Sequence, residues 1–297
     1  MTERDTAHDA GAVRLLCGGR PVARYEYRPD LPARESPRPH LHPVRTLGGT
    51  VVTELRPADH VHHLGVSVAV PDVSGTNFWG GRTFVRDRGP TELDNHGVQR
   101  HLRWLWRDED GLAEELAWER DGRRLLTERR TIVAREVDDT CWALDLTTEL
   151  VNVRDEELSI GSPATNGRPG AGYGGFFWRP PIGPRPPAVF TADAEGEEAV
   201  HGSVAPWLAM AADAWTLVFV GATEDTRRDP WFVRAAEYPG VGSAPAWERR
   251  LPLPPGRPVV RRVVTAVADG RLDRDAAARV ADRLARLAPP DREEAPA

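Results

Sequence analysis

Seven of the nine histidines in this chain, His40, His42, His60, His62, His63, His96 and His101, fall between Pro39 and His101. Imidazole changes charge nearest to neutral pH and is a common metal ligand, so such a cluster reads as the floor of a site. General acid–base or hydrogen-bonding chemistry is the leading reading, with His60, His63 and His96 moving or orienting protons. A divalent metal is the alternative. His60 and His62 share a face if their segment is extended, as do His40 and His42, and His96, Asp94 or His63 would add a third ligand. A cupin-like site would need a glutamate soon after His60-Val61-His62, where Leu64-Gly65-Val66-Ser67 stand instead. Histidines that merely brace loop backbone are the third reading.

Three further groups could join the cluster. In Asp94-Asn95-His96-Gly97, Asp94 could orient His96, although the composition is equally that of a turn. Arg168, in Asn166-Gly167-Arg168, could anchor a carboxylate or hydroxyls, while Tyr173 and Trp178 offer ring faces for a sugar. The plainer reading of that segment is a packed loop. Arg234 and Glu237 form either a structural ion pair or a substrate anchor beside the carboxylate partner of a catalytic histidine.

These residues need a scaffold, and the hydrophobic pattern supplies strands. In 99–107, Leu102, Trp104 and Trp106 alternate with His101 and Arg103, the period of a half-buried strand. Segments 112–119, 124–134 and 141–151 follow across short polar turns and predict an antiparallel meander. Further strands are expected at 12–17, 21–27, 50–55, 65–70, 188–191, 215–222, 231–236, 246–251 and 259–267. Segments 28–39, 74–88 and 162–187 read as loops, the last long enough to suggest function. One helix is expected over 273–287, where Leu272, Ala276, Val280 and Leu284 make an apolar stripe ended by Pro289-Pro290. The fold class is therefore all-β, a large antiparallel β-sandwich with one C-terminal helix. Residues 1–11 and 289–297 read as loose tails, and 12–288 as a single domain.

Composition narrows the function. The net charge is −6, from 39 basic and 45 acidic residues, with no long basic run, which argues against nucleic acid. The polar start lacks the apolar core of a signal peptide, and no apolar run approaches the ~20 residues of a spanning helix. A cytoplasmic protein is expected. Cys17 and Cys141 read as buried, reduced thiols. No Gly-x-Gly-x-x-Gly follows a strand, and there is no phosphate-binding loop, Gly-x-Ser-x-Gly elbow or Cys-x-x-Cys.

Several motifs occur as an ordered set: His42-Pro43-Val44-Arg45-Thr46, Pro57-Ala58-Asp59-His60-Val61-His62-His63-Leu64-Gly65, Asn77-Phe78-Trp79, Asp94-Asn95-His96-Gly97 and Asn166-Gly167-Arg168. Gly172-Tyr173-Gly174-Gly175-Phe176-Phe177-Trp178-Arg179, Pro206-Trp207-Leu208-Ala209, Pro230-Trp231-Phe232-Val233-Arg234 and Glu237-Tyr238-Pro239-Gly240 continue it. Over about residues 12–270 the chain resembles the bacterial PmoA family, a family of unknown function often labelled methane oxygenase PmoA. The resemblance implies a β-supersandwich similar to galactose mutarotase and a link to bacterial sugar utilisation. The family label implies instead a metal-dependent oxygenase. The expectation is a carbohydrate-binding or carbohydrate-processing protein: an epimerase, lyase or hydrolase acting on a sugar or oxidised sugar. His60, His63, His96 and Glu237 are the catalytic candidates. His42, Arg45, Asn95, Arg168, Tyr173, Trp178 and Arg234 are the substrate-binding candidates. No cofactor is expected; a divalent metal on His60, His62 and His96 is the alternative, as is a non-catalytic sugar-binding module.

Overall fold

Period-two alternation through the middle of the chain produces four long strands, Val98–Arg107, Gly111–Arg120, Arg123–Asp138 and Cys141–Asn152. They pair antiparallel in sequence order, as the meander requires. They form half of an eight-stranded sheet that continues through Pro258–Asp269, Trp215–Gly221, Trp207–Ala211 and Ala188–Phe190. A seven-stranded sheet lies against it, in the order Ala12–Cys17, Arg20–Glu26, His40–Val44, Val66–Ala69, Gly175–Trp178, Gly240–Ser243, Trp231–Arg234. The fold is an all-β antiparallel sandwich with a C-terminal helix. This structure is a computed structural model and describes residues 11–290. The tails expected at 1–11 and 289–297 lie almost wholly outside the described residues. Gly11 is tied in, its carbonyl accepting from the Tyr27 amide at 2.9 Å.

One core fills the space between the sheets, with Leu41, Val66, Phe176, Trp178, Trp231 and Val241 from one side and Trp118, Leu144, Leu146, Phe219 and Val263 from the other. A buried polar network crosses it. Glu114 accepts from Tyr25 of the facing sheet and pairs with His101 Nδ1 at 2.5 Å. Arg130 is held by Glu128 at 2.7 Å and by Gln99 at 2.9 Å. Within this network each buried charge has a hydrogen-bonded counterpart, which such burial demands. His101 is thereby committed to the sandwich interior.

The two outer faces are treated differently. The expected helix is Arg274–Ala285, with Asp273 accepting from the Ala276 amide at 2.8 Å as its N-cap. It lays Ala277, Val280, Ala281 and Leu284 on the outer face of the eight-stranded sheet, against Ala143, Val218, Val220 and Val264. The outer face of the seven-stranded sheet carries a small aromatic cluster of Trp79, Phe177 and Phe232, with Tyr173 and Trp247 packed on it. Two short helices, Glu197–Val200 and Glu224–Arg228, were not expected.

Strand expectations fail where strands are short. Residues 50–55 are not a ladder strand: Val52 N bonds Val44 O while Glu54 N bonds Arg179 O, so the segment divides its hydrogen bonds between two neighbours. The strand expected over 246–251 is instead Leu251–Leu253. Leu158–Gly161, Trp207–Ala211 and Gly240–Ser243 were missed, and Gly175–Trp178 lies in the expected long loop. The expected covering loop over 74–88 contains Thr83–Val85, which pairs with Gly89–Thr91. Cys17 and Cys141 are buried free thiols. Among the described residues no helix is long and apolar enough to cross a membrane.

Candidate functional site

The histidine motif is a double turn. Leu55 and Leu64 bridge at its base, and the Arg56 amide donates to His63 O at 2.9 Å. Between them the His60 amide bonds Pro57 O and the His63 amide bonds His60 O, both at 2.9 Å. Residues three apart in successive turns come side by side. The His60 and His63 rings stack with centroids 4.6 Å apart at 23°, and His62 meets His63 edge-on at 4.9 Å. The extended segment with His60 and His62 on one face is thus replaced by a turn in which His60 and His63 pair. Gly65 closes it at φ 53°, where a Cβ would clash with the Leu41 carbonyl. Arg38, fully buried, clamps the turn to the next loop by donating to His62 O at 2.7 Å and Trp79 O at 3.0 Å.

The turn sits over the aromatic cluster on the outer face of the seven-stranded sheet. His63 lies 5.0 Å from Phe177 and 5.7 Å from Trp79; Trp79 lies 4.7 Å from Tyr173, and Tyr173 5.5 Å from Phe232. Tyr238 covers the other side, 4.9 Å from His60. Together they enclose a cleft of about 420 Å³, lined also by Asp59, Arg82, Arg168, Arg234 and Glu237. That volume suits a small ligand.

Charge in the cleft is arranged asymmetrically. His60 Nδ1 lies 2.7 Å from Asp59 Oδ2, while His63 Nδ1 lies 3.2 Å from Arg179 Nη1. Arg179 is fully buried and stacks on Tyr238, 4.3 Å from its centroid. Burial, with His62, His60 and Arg179 close by, holds the His63 imidazole well below its ordinary pKa. Burial beside Arg38 pushes His62 down to about 3. Burial alone would raise Asp59, but the hydrogen bond and charge of His60, with Arg179 behind, hold it below the usual carboxylate range. Burial lifts the Tyr173 phenol to about 12, and Tyr238 is raised by burial too, against Arg234 and Arg179.

His60, His63, Glu237, Arg168, Tyr173 and Arg234 line this one cleft, along with His62. The other candidates lie elsewhere. His96 bonds Gly81 O at 2.7 Å through Nε2 and braces the loop behind His62. Trp178 is fully buried between the sheets, its Nε1 donating to Val52 O at 2.8 Å. The reason is strand alternation: Phe176 and Trp178 point into the sandwich, which turns Phe177 to the outer face, beneath the cleft. His42 bonds Thr53 Oγ1 at 3.0 Å, and Arg45 reaches Gly49 O at 3.2 Å across its own turn. Asn95 braces loops through Gly75 O at 2.9 Å and Thr83 Oγ1 at 3.0 Å. Arg234 pairs with Glu197 at 3.7 Å rather than Glu237. Among the described residues no three His, Cys, Asp or Glu side chains come together as a metal ligand set, so His60, His62 and His96 do not form one.

Sequence reasoning missed Asp59, Trp79, Phe177, Arg179, Phe232 and Tyr238. Asp59 was hidden because neighbours on a strand face apart, whereas this pair occupies a turn. Phe177 was within reach of the alternation rule once Trp178 was assigned to the core.

No curated protein matches this chain. Among solved structures a heparinase III gene product aligns with it at 9% identity and a TM-score of 0.24, over 61% of this chain and 23% of that one. The chain thus spans less than a quarter of that structure's length. A model of a family of unknown function, DUF6807, matches residues 12–282, and the chain belongs to that family.

Proposed function

We propose that the cleft binds a sugar or an oxidised sugar and moves protons on it with its histidines, without a bound cofactor. One observation carries this reading: a carboxylate-supported imidazole, an aromatic wall and an arginine rim converge on one small cleft. Ring faces such as those of Trp79 and Tyr173 suit the C–H face of a pyranose, and the polar rim suits its hydroxyls. Arg82, Arg168 and Arg234 outnumber Asp59 and Glu237 among the lining residues, which favours an acidic sugar. Arg82 and Arg234 already pair with Glu92 and Glu197. Among the described residues Arg168 has no ion-pair partner and is the natural carboxylate anchor. Membership of the PmoA family and a cytoplasmic location belong to the same proposal.

Calorimetric titration with neutral aldoses, ketoses and uronic acids tests it. Uronic acids should bind better than the matching neutral sugars, and Arg168→Ala should cost about tenfold in that preference, the ~1–2 kcal/mol of one charge-assisted contact. His60→Ala should abolish any turnover. Failure of every sugar to bind would overturn the reading. Binding without turnover would make the protein a sugar-binding module. Stoichiometric copper or iron in protein purified without chelator would favour the metal-dependent oxygenase.

A further inference from the structure

Arg179 touches the cleft only through its neighbours. Its side chain is fully buried; Nε lies 3.5 Å from Glu54 and Nη2 3.9 Å from Asp59, and neither nitrogen makes a hydrogen bond. Its one side-chain hydrogen bond is Nη1 to His63 Nδ1, at 3.2 Å. A guanidinium carries only donors. His63 Nδ1 must therefore hold a lone pair, which leaves the ring proton on Nε2. Asp59 imposes the reverse on His60. A carboxylate only accepts, so His60 Nδ1 carries the hydrogen and Nε2 holds the lone pair. The two rings are stacked 4.6 Å apart with opposite tautomers imposed from behind. Among the described residues no protein group bonds the Nε2 of either ring.

We propose that Asp59 and Arg179 are positioning residues that set opposite tautomers on His60 and His63, making the cleft a site that removes a proton from carbon beside a carbonyl. This rests on the sugar-binding reading above and narrows it to isomerisation of a sugar or sugar acid. His60 Nε2 takes the proton from the carbon. The C–H electron pair becomes the new C=C bond, and the carbonyl π pair moves to oxygen. His63 donates its Nε2–H to that oxyanion, with the buried Arg179 charge behind it. His60, now an imidazolium against Asp59, returns the proton on the same face to the former carbonyl carbon, whose share of the C=C pair forms the new C–H bond while the oxyanion pair on the other carbon closes the new carbonyl. In isomerisation the remaining hydroxyl proton passes between the two enediolate oxygens. Atoms and electrons balance with no oxidant or co-reactant. A neutral imidazole is a poor acid but a good hydrogen-bond donor, so the pair suits charge that builds up on oxygen rather than transfer of a second proton.

Long-range 1H–15N correlation spectra of protein labelled at the histidine nitrogens, in mildly alkaline buffer, read each tautomer directly. The expected wild-type spectrum shows a protonated Nε2 on His63 and a protonated Nδ1 on His60. Arg179→Met should release His63 into a tautomer mixture, Arg179→Lys should restore the Nε2–H form, and His60 should be unchanged in both. The same tautomer on both rings in the wild type overturns the proposal, and this result does not depend on any variant folding. The reaction class is read with D-gluconohydroxamate, a planar enediolate mimic, against D-gluconamide. The hydroxamate should bind about a hundredfold tighter, as a transition-state mimic does. Equal affinity overturns the carbon-acid chemistry. Opposite tautomers with no sugar or sugar acid bound would overturn the sugar reading alone and support the tautomer assignment.

Discussion

At the scale of the residue, the histidines are distinguished by what surrounds them rather than by spacing. His63 and His40 are both 2% exposed, and burial holds His63 well below its ordinary pKa and His40 down to about 4. His42, His62 and His201 are lowered as well, burial being the first cause in each. His40, His62 and His63 are neutral in the folded protein at mildly acidic pH, and His42 and His201 take up a proton less readily there than in the unfolded chain, where all five charge near their ordinary value. Below that value the unfolded state binds more protons, so stability is fully present above about pH 6.5 and falls as the pH is lowered. Between about pH 6.5 and 5 a fully neutral buried imidazole contributes up to about 2 kcal/mol of this loss. Urea unfolding at the two pH values should show it, and His40→Phe should flatten the slope. A stability that rises toward pH 5 would contradict this assignment. The cluster itself was legible from counting. Its partition was not, because His96 and His101 find partners, the Gly81 carbonyl and Glu114, that are remote in sequence or cross-strand.

At the scale of the element, what holds the site is a tight turn on a short-stranded sheet. Gly65 has φ 53° and no room for a Cβ beside the Leu41 carbonyl, whereas Gly19 has φ 75° but nothing within 4 Å. Gly19→Ala should therefore cost about 1 kcal/mol, the left-handed penalty alone. Gly65→Ala adds a backbone clash and should cost more than about 2 kcal/mol, with the His60–His63 stack disturbed. Equal losses in urea unfolding would show that the turn can shift aside. The long strands were legible because apolar residues alternate through Val98–Arg107 and Cys141–Asn152 and short polar turns mark off the two strands between them. Trp207–Ala211 was not, because all five of its residues are buried and no polar face marks the period. Gly175–Trp178 was lost among glycines and prolines, and with it the assignment of Phe177 and Trp178 to opposite faces.

At the scale of the whole molecule, the cleft and the C-terminal helix occupy opposite outer faces of the sandwich. Phe177 and Phe232 face outward from the seven-stranded sheet, Phe176 and Trp178 fill the middle, and Ala277, Val280 and Leu284 cover the far side of the eight-stranded sheet. The stripe that predicted this helix was visible in sequence, but which sheet it covers depends on a topology in which Pro258–Asp269 lies at the centre of the eight strands. The apolar clusters on the two outer faces have no residue in common, so their energies should add. Leu284 is 1% exposed, and Leu284→Ala should destabilise by about 2–4 kcal/mol, the cost of a truncated buried leucine. The affinity of the folded protein for a sugar acid should not change. Phe177→Ala should do the converse in part: Phe177 packs under His63 and Trp79, so its loss should loosen two lining side chains and weaken binding as well as stability. Unfolding and calorimetry on the two variants and their combination test this. A fall in affinity in Leu284→Ala, or a double variant far from additive in stability, would mean that the eight-stranded sheet transmits strain through the core to the histidine turn.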